Sequence, residues 1–117
     1  MKRTEILPFR ADGAVNPYRF IRVGSKDNTI TQASGVDHPI IGVTGQVGAD
    51  DGGVCEVTLD VVAPVECGGV FAVGDQLTAD IDGRAVKAVA GNCAGGIALG
   101  AGKVGTRVEV LLEMLKV

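Results

Sequence analysis

The sequence predicts an all-β fold, a small compact β-barrel or β-sandwich of about seven to nine short strands with an extended N-terminal arm. Hydrophobic residues make up 46% of the 117 residues and aromatic residues only 3%, so the core has to be built from aliphatic side chains that favour strands. Eighteen glycines supply frequent turns. No long segment shows the three-to-four spacing of an amphipathic helix.

Residues 1–16 are expected to form the arm, with at most one edge strand, and residues 17–117 a single β domain. Pro8 and Pro17 interrupt the arm, because proline lacks the backbone donor that a strand interior needs. Three strands are then expected in order, separated by turns that contain Gly, Asn and Ser, over residues 18–23, 29–33 and 40–43.

The clearest alternation of apolar and polar residues runs over residues 54–61. Cys55 and Val57 fall on one face and Glu56 on the other, which predicts a half-buried strand in a sheet with one wet side. Pro64 is expected to end or bend this strand.

Residues 71–89 predict a β-hairpin, because two short alternating runs flank an Asp82-Gly83 pair. A two-residue type I′ turn needs positive φ at both positions, which Asp tolerates and Gly adopts without steric cost. After it we expect a loop over residues 91–96, a short strand over 97–99, a glycine-rich loop over 100–105 and a last strand over 106–114.

A weak internal echo relates two parts of the chain. Residues 41–43, a glycine-rich loop and residues 54–59 resemble residues 97–99, a glycine-rich loop and residues 107–112. Two similar hairpins are therefore expected. They are either duplicated halves of a barrel or two hairpins that follow the same pattern rules.

Composition argues against several classes of partner. The net charge is −3 and no cluster of Lys and Arg could neutralise a row of phosphates, so we expect no nucleic acid partner. There is no apolar run of membrane-spanning length, so no membrane partner is expected. Three cysteines cannot all pair within one chain, and reduced thiols in a cytosolic product are the default expectation.

Residue-level support for catalysis or cofactor binding is weak. Residues 100–105 match the spacing of a dinucleotide-binding loop, but a strand pattern follows where the phosphate-binding helix should begin. His38 has no recognisable nucleophile partner, and Asp50-Asp51 lack the spacing of a calcium loop. We therefore expect no enzyme, no cofactor and no metal site.

The order of the elements resembles that of the small cement, or head decoration, proteins of bacteriophage capsids. The resemblance covers roughly residues 40–112 and is carried by matching segments in the same order: Ile41–Val43, Val54–Val61, Phe71–Asp75, Asp82–Val86, Gly96–Leu99 and Val108–Leu112. It implies a structural virion protein, made in the host cytoplasm, that binds the major capsid protein on the outer surface of the shell and stabilises the shell. A homo-oligomer, trimer or dimer, is expected with it.

Four residues in or near the arm are candidate capsid or oligomer contacts: Arg10, Tyr18, Phe20 and Arg22. Aromatic and Arg side chains carry much of the energy of protein interfaces, although Tyr18 and Phe20 could equally be core residues. The arm could add a strand to the sheet edge of a neighbour. The alternative function is a small β-barrel binding module, or an assembly component unrelated to capsids.

Overall fold

The structure is a computed structural model that describes residues 6–58 and 62–116. Within these ranges the chain forms ten β-strands and no helix, which confirms the all-β prediction and slightly exceeds the expected number of strands. Residues 6–58 are called the first half below, and residues 62–116 the second half.

Five short strands close into a barrel in the first half. They are β1 (Ile6–Ala11), β2 (Phe20–Val23), β3 (Thr29–Gln32), β4 (Gly42–Thr44) and β5 (Val54–Thr58), in the spatial order β1-β3-β2-β4-β5. β1 closes this barrel, because it pairs antiparallel with β5 from Ile6 to Arg10 and parallel with β3 at Arg10 and Ala11.

The second half forms an open sheet. Its strands are β6 (Val62–Glu66), β7 (Gln76–Ala79), β8 (Ala85–Lys87), β9 (Cys93–Ala98) and β10 (Arg107–Lys116), in the order β6-β10-β9-β7-β8. A single parallel bridge from Cys67, just after β6, to Ala85 of β8 brings the two outer strands together.

Both halves have the same strand order. The barrel read from β1 in the other direction is β1-β5-β4-β2-β3, which corresponds strand by strand to β6-β10-β9-β7-β8. The loop bridges correspond too, because Val15 pairs with Ala49 in the first half as Phe71 pairs with Gly102 in the second. These common contacts favour two halves of one topology over two unrelated hairpins.

Two cores hold the molecule together, and β2 contributes to both. The smaller core fills the barrel and consists of Ala11, Val15, Ile21, Ile30, Cys55 and Val57. The larger core lines the open sheet, and the first half adds Phe20, Ala33, Ile40 and Val43 to it. Phe20 and Ile21 point in opposite directions because successive strand residues do, so one strand joins the halves.

The predicted hairpin is present, but its predicted turn type is wrong. β7 pairs with β8, and the amide of Gly83 donates to the Asp80 carbonyl at 3.1 Å across a loop of three residues. Gly83 has φ of 77° whereas Asp82 has no positive φ. The Asp80 carboxylate explains the wider turn, since it accepts the amides of Asp82 at 2.8 Å and Arg84 at 2.9 Å.

This turn accepts hydrogen bonds from residues of the first half. The Gly83 carbonyl accepts the amide of Phe20 at 2.9 Å. The neighbouring Asp82 carbonyl accepts the Arg19 guanidinium at 3.0 Å and the Gln32 amide group at 2.9 Å. The tip of the hairpin therefore connects the two halves as well as the strands β7 and β8.

The prediction of a loop over residues 91–96 is wrong in part, because β9 begins at Cys93. The glycines of this segment led to the prediction of a loop. A Cβ on Gly95 would lie 2.9 Å from Ile40 Cγ2, and one on Gly96 would lie 2.5 Å from the Leu111 carbonyl oxygen. Here glycine marks close approach inside a strand, not a turn.

The prediction that Pro64 ends or bends a strand is wrong, because the strand β6 continues on both sides of it. Pro64 lies within β6, exposed and opposite Glu109 of β10. β6 is an outer strand of the open sheet, where a missing backbone donor is tolerated.

The N-terminal segment also differs from the expected arm, because residues 6–11 form β1 of the barrel and Ala11 and Val15 are buried. The arm residues 1–5 lie outside the described residues.

Pro8 lies within β1. Hydrogen bonds between antiparallel strands alternate along each strand, and the Ala11 amide donates to the Gly53 carbonyl on the β5 side. By this alternation the missing donor of Pro8 falls on the side away from β5.

We expect Gly83→Ala to lower the free energy of unfolding by at least about 2 kcal/mol, measured by urea denaturation. A Cβ there would lie 2.8 Å from Gln32 Cγ and 3.0 Å from the Ala33 carbonyl oxygen. Gly74→Ala is the matched control, since Gly74 has φ of 90° but nothing within 4 Å of the added atom. It should cost only about 1 kcal/mol, for the positive φ alone. Equal losses in the two variants would contradict the close contact at Gly83.

We expect Asp80→Ala to lower the free energy of unfolding by about 1–3 kcal/mol, because two amides and the Arg84 guanidinium lose their acceptor. Asp82→Ala should change it by less than about 0.5 kcal/mol, since that side chain is 59% exposed and its oxygen lies 3.7 Å from Arg84. A larger loss for Asp82→Ala than for Asp80→Ala would show that the turn is held in another way.

Candidate functional site

Two of the four residues predicted as contacts are arginines on strands of the barrel. Arg10 is exposed on β1 and its guanidinium donates to the Gly52 carbonyl at 2.6 Å. Arg22 is half-buried on β2 and borders a cavity of about 270 Å³ beside His38. The Arg22 Nε is buried and has no hydrogen-bond partner among the described residues. A role of either arginine at an interface stays a prediction.

The two aromatic candidates are engaged within the molecule. Tyr18 is half-buried and has φ of 58°, its carbonyl accepts the Glu66 amide at 2.9 Å, and the Arg107 guanidinium lies 4.4 Å from its ring centroid. Phe20 is 0% exposed and belongs to the larger core. Phe20 is therefore a core residue and not a surface contact, because burial leaves no atom of it for a partner.

The described His, Cys, Asp and Glu side chains do not form a recognisable catalytic or metal-binding cluster. In residues 6–58 and 62–116 no three His, Cys, Asp or Glu side chains come together in a group that could hold a metal ion. Residues 100–105 lie between β9 and β10, which pair antiparallel, and this confirms that they are a hairpin loop. His38 is exposed between β3 and β4, and burial raises the pKa of the Cys55 thiol, with a further contribution from the charge of Glu56. A raised pKa keeps a thiol protonated and unreactive.

Each half ends in a pair of loops joined by an antiparallel bridge. Residues 12–18 and 45–53 form the first loop end, held by the bridge from Val15 to Ala49. Residues 68–74 and 99–106 form the second loop end, held by the bridge from Phe71 to Gly102. A second contact corresponds as well, since Gly52 and Gly105 both have positive φ and their amides donate to the carbonyls of Ala11 and Cys67, each just before the facing loop.

The two loop ends carry different side chains. Four large apolar residues are exposed on the second loop end: Val70 (78%), Val73 (65%), Leu99 (48%) and Val104 (62%). The bridge residues align these positions with Ala14, Pro17, Gln46 and Asp51 of the first loop end. Sequence reasoning did not select this surface, although valines within turn segments were the available signal.

Asp12 joins the first loop end to the turn between β2 and β3. The hydroxyl of Ser25 donates to its carboxylate, and the Ser25 amide does so at 2.7 Å. These hydrogen bonds hold the pKa of Asp12 below its usual value, with smaller contributions from the charges of Lys26 and Arg22.

The fold and its surface define a class of protein, namely a small all-β protein that is built from two like halves and exposes apolar side chains on its loops. A family model described as phage cement protein matches residues 1–112, and the chain belongs to this family. The family is one of structural phage proteins, associated with the virion.

A solved structure supports the fold. It is described as the head fiber gp8.5 N base in bacteriophage phi29, and it superposes with a TM-score of 0.77 at 24% sequence identity, covering 98% of each chain. No curated protein sequence matches this chain significantly. No helix among the described residues has the length and apolarity to cross a membrane.

The lowered pKa of Asp12 predicts a specific loss of stability in acid. The folded pKa lies below the unfolded value, so the carboxylate contributes stability above the unfolded pKa and loses it as the pH falls through the folded pKa. Below about pH 5, Asp12→Asn should flatten the dependence of the urea midpoint on pH. Ser25→Ala should flatten it similarly, because the carboxylate remains but loses its donor. A slope in Ser25→Ala as steep as in the wild type would contradict this assignment.

Proposed function

We propose that this protein binds the outer surface of an assembled phage head through the major capsid protein and stabilises the shell mechanically, without catalysis. The observation that carries the proposal is the match of the phage cement family model to residues 1–112. The similarity to the head fiber base supports a fold that is used on phage heads.

The architecture suits this task. Two halves share one core through β2, and the hairpin tip at Asp82 and Gly83 adds hydrogen bonds between them. A protein that holds the shell against expansion has to be rigid, because a deformable protein would stretch with the shell. The shared core and the hydrogen bonds between the halves would supply this rigidity. Many copies on a symmetric lattice convert modest affinity per contact into firm retention.

The partner contacts are expected to come from exposed surface. β1 pairs with β5 from Ile6 to Arg10 but with β3 only at Arg10 and Ala11, so strand addition by the N-terminal segment would be confined to the edge of Ile6–Phe9 that faces away from β5. We further propose a homo-oligomer, trimer or dimer, made in the host cytoplasm and carried on the outside of the virion. Burial of exposed valines between subunits or against the shell would supply the association energy.

Heads assembled without this protein provide the test. Purified protein is added and the heads are sedimented. The protein should pellet with the heads and saturate at a fixed ratio to the major capsid protein, and it should raise the temperature at which the heads release DNA. An unrelated small β protein of similar charge is the control. If the protein stays in the supernatant at every head concentration, or if it binds without raising the rupture temperature, the proposal fails.

A further inference from the structure

We propose that Pro8 and Pro64 block two strand edges of this protein against pairing with strands of other molecules. The inference goes beyond the proposed function, because it concerns a contact that the protein avoids. An unpaired strand edge presents a row of backbone donors and acceptors to any extended chain, and a proline in that row removes one donor from it.

The two prolines occupy the same position in the two halves. β1 and β6 correspond in the common strand order. Pro8 lies opposite Glu56 of β5, and Pro64 lies opposite Glu109 of β10. Both prolines are exposed, so neither is held in place by burial in a core. A proline at the same exposed strand position in both halves indicates a common role.

Each proline lies in a part of its strand that pairs on one side only. β1 pairs with β3 only at its last two residues, so residues 6–9 extend beyond the beginning of β3. The bridge from Cys67 to Ala85 connects the end of β6 with β8, so residues 62–65 extend beyond the beginning of β8 in the same way. Among the described residues, these two segments therefore leave one strand edge each without a partner strand.

The missing donor of each proline faces this unpaired edge. The Glu66 amide points away from β10 and donates to the Tyr18 carbonyl at 2.9 Å, whereas the next amide along the chain donates to Thr106, just before β10, at 2.7 Å. Because the direction alternates along a strand, the nitrogen of Pro64 faces the same way as the Glu66 amide. The nitrogen of Pro8 faces away from β5 by the same alternation.

Each unpaired edge therefore retains a single donor within its segment. By the alternation, these donors are the amides of Ile6 on β1 and Val62 on β6. A second strand needs donors and acceptors at regular spacing to form a ladder, and the prolines interrupt that spacing. The protein can thus expose two strand edges and still meet its partners through side chains.

The double variant Pro8→Thr/Pro64→Thr restores a donor on each edge and tests this role. Threonine favours strands and is not an apolar side chain, so new association would reflect the restored amides. At equal concentration, the weight-average mass by light scattering should be at least about twofold that of the wild type, because a completed edge joins two molecules. Pro39→Thr is the matched control, since Pro39 is exposed and lies outside the strands. Its mass should equal that of the wild type.

Hydrogen exchange identifies the contact. In the associated double variant, the new amides at positions 8 and 64 should exchange at least about tenfold more slowly than in the same protein diluted to the mass of the wild type. Circular dichroism should show the fold of the wild type, because both prolines are exposed.

Two results would overturn the inference. One is a folded double variant that keeps the mass of the wild type at every concentration. The other is association in which the amides at positions 8 and 64 exchange as fast as before dilution and after it, because the contact would then lie elsewhere. If the double variant does not fold, the single variants Pro8→Thr and Pro64→Thr are measured in the same way, and an unchanged mass in both overturns the inference. The proposed function is decided separately, by whether the wild type sediments with heads.

Discussion

Burial of both faces of β2 is the constraint on which the rest of this structure depends. Ile21 fills the barrel of the first half and Phe20 enters the core of the second half, and neither has any exposed surface. Each such side chain contributes roughly 2–3 kcal/mol when it is removed from water. Phe20 and Val43 belong to the apolar core that lines the inner face of the open sheet of the second half. Each half therefore relies on the other to bury its apolar side chains, and bending between the halves would expose the shared core to water.

Repetition of one topology with different loops explains how a small chain combines stability with recognition. The strand order, the loop bridges and the positive-φ glycines agree between the halves, so the scaffold is common. The loop surfaces are free to differ because their side chains are exposed and carry little folding energy. In this molecule the first loop end carries Asp50 and Asp51 beside the exposed Val47, while the second carries the exposed Val70, Val73, Leu99 and Val104.

Much of the fold could be predicted from local pattern. Alternation identified β5 and β10, and the turn residues identified the β7–β8 hairpin. The internal similarity was seen, but the sequence left open whether it reflects two like halves or two separate hairpins. The errors share one cause, namely neighbours that are distant in sequence. Gly95 and Gly96 were predicted to lie in a loop. In the structure they lie in a strand, where the absence of a side chain leaves room for Ile40 and Leu111, and these two residues are far away in the sequence. Pro64 looked like a strand terminator because its place on an outer strand is not visible locally.

By itself the sequence determined the class of the protein, several of its strand segments and its resemblance to phage cement proteins, because alternation, turn chemistry and motif order are properties of short stretches of chain. Only the tertiary structure decided that Phe20 is a core residue, that residues 6–11 close a barrel and that Val70, Val73, Leu99 and Val104 share one exposed end. The reason is physical: burial and proximity are set by which segments pack together, and that packing joins residues that sequence order keeps apart.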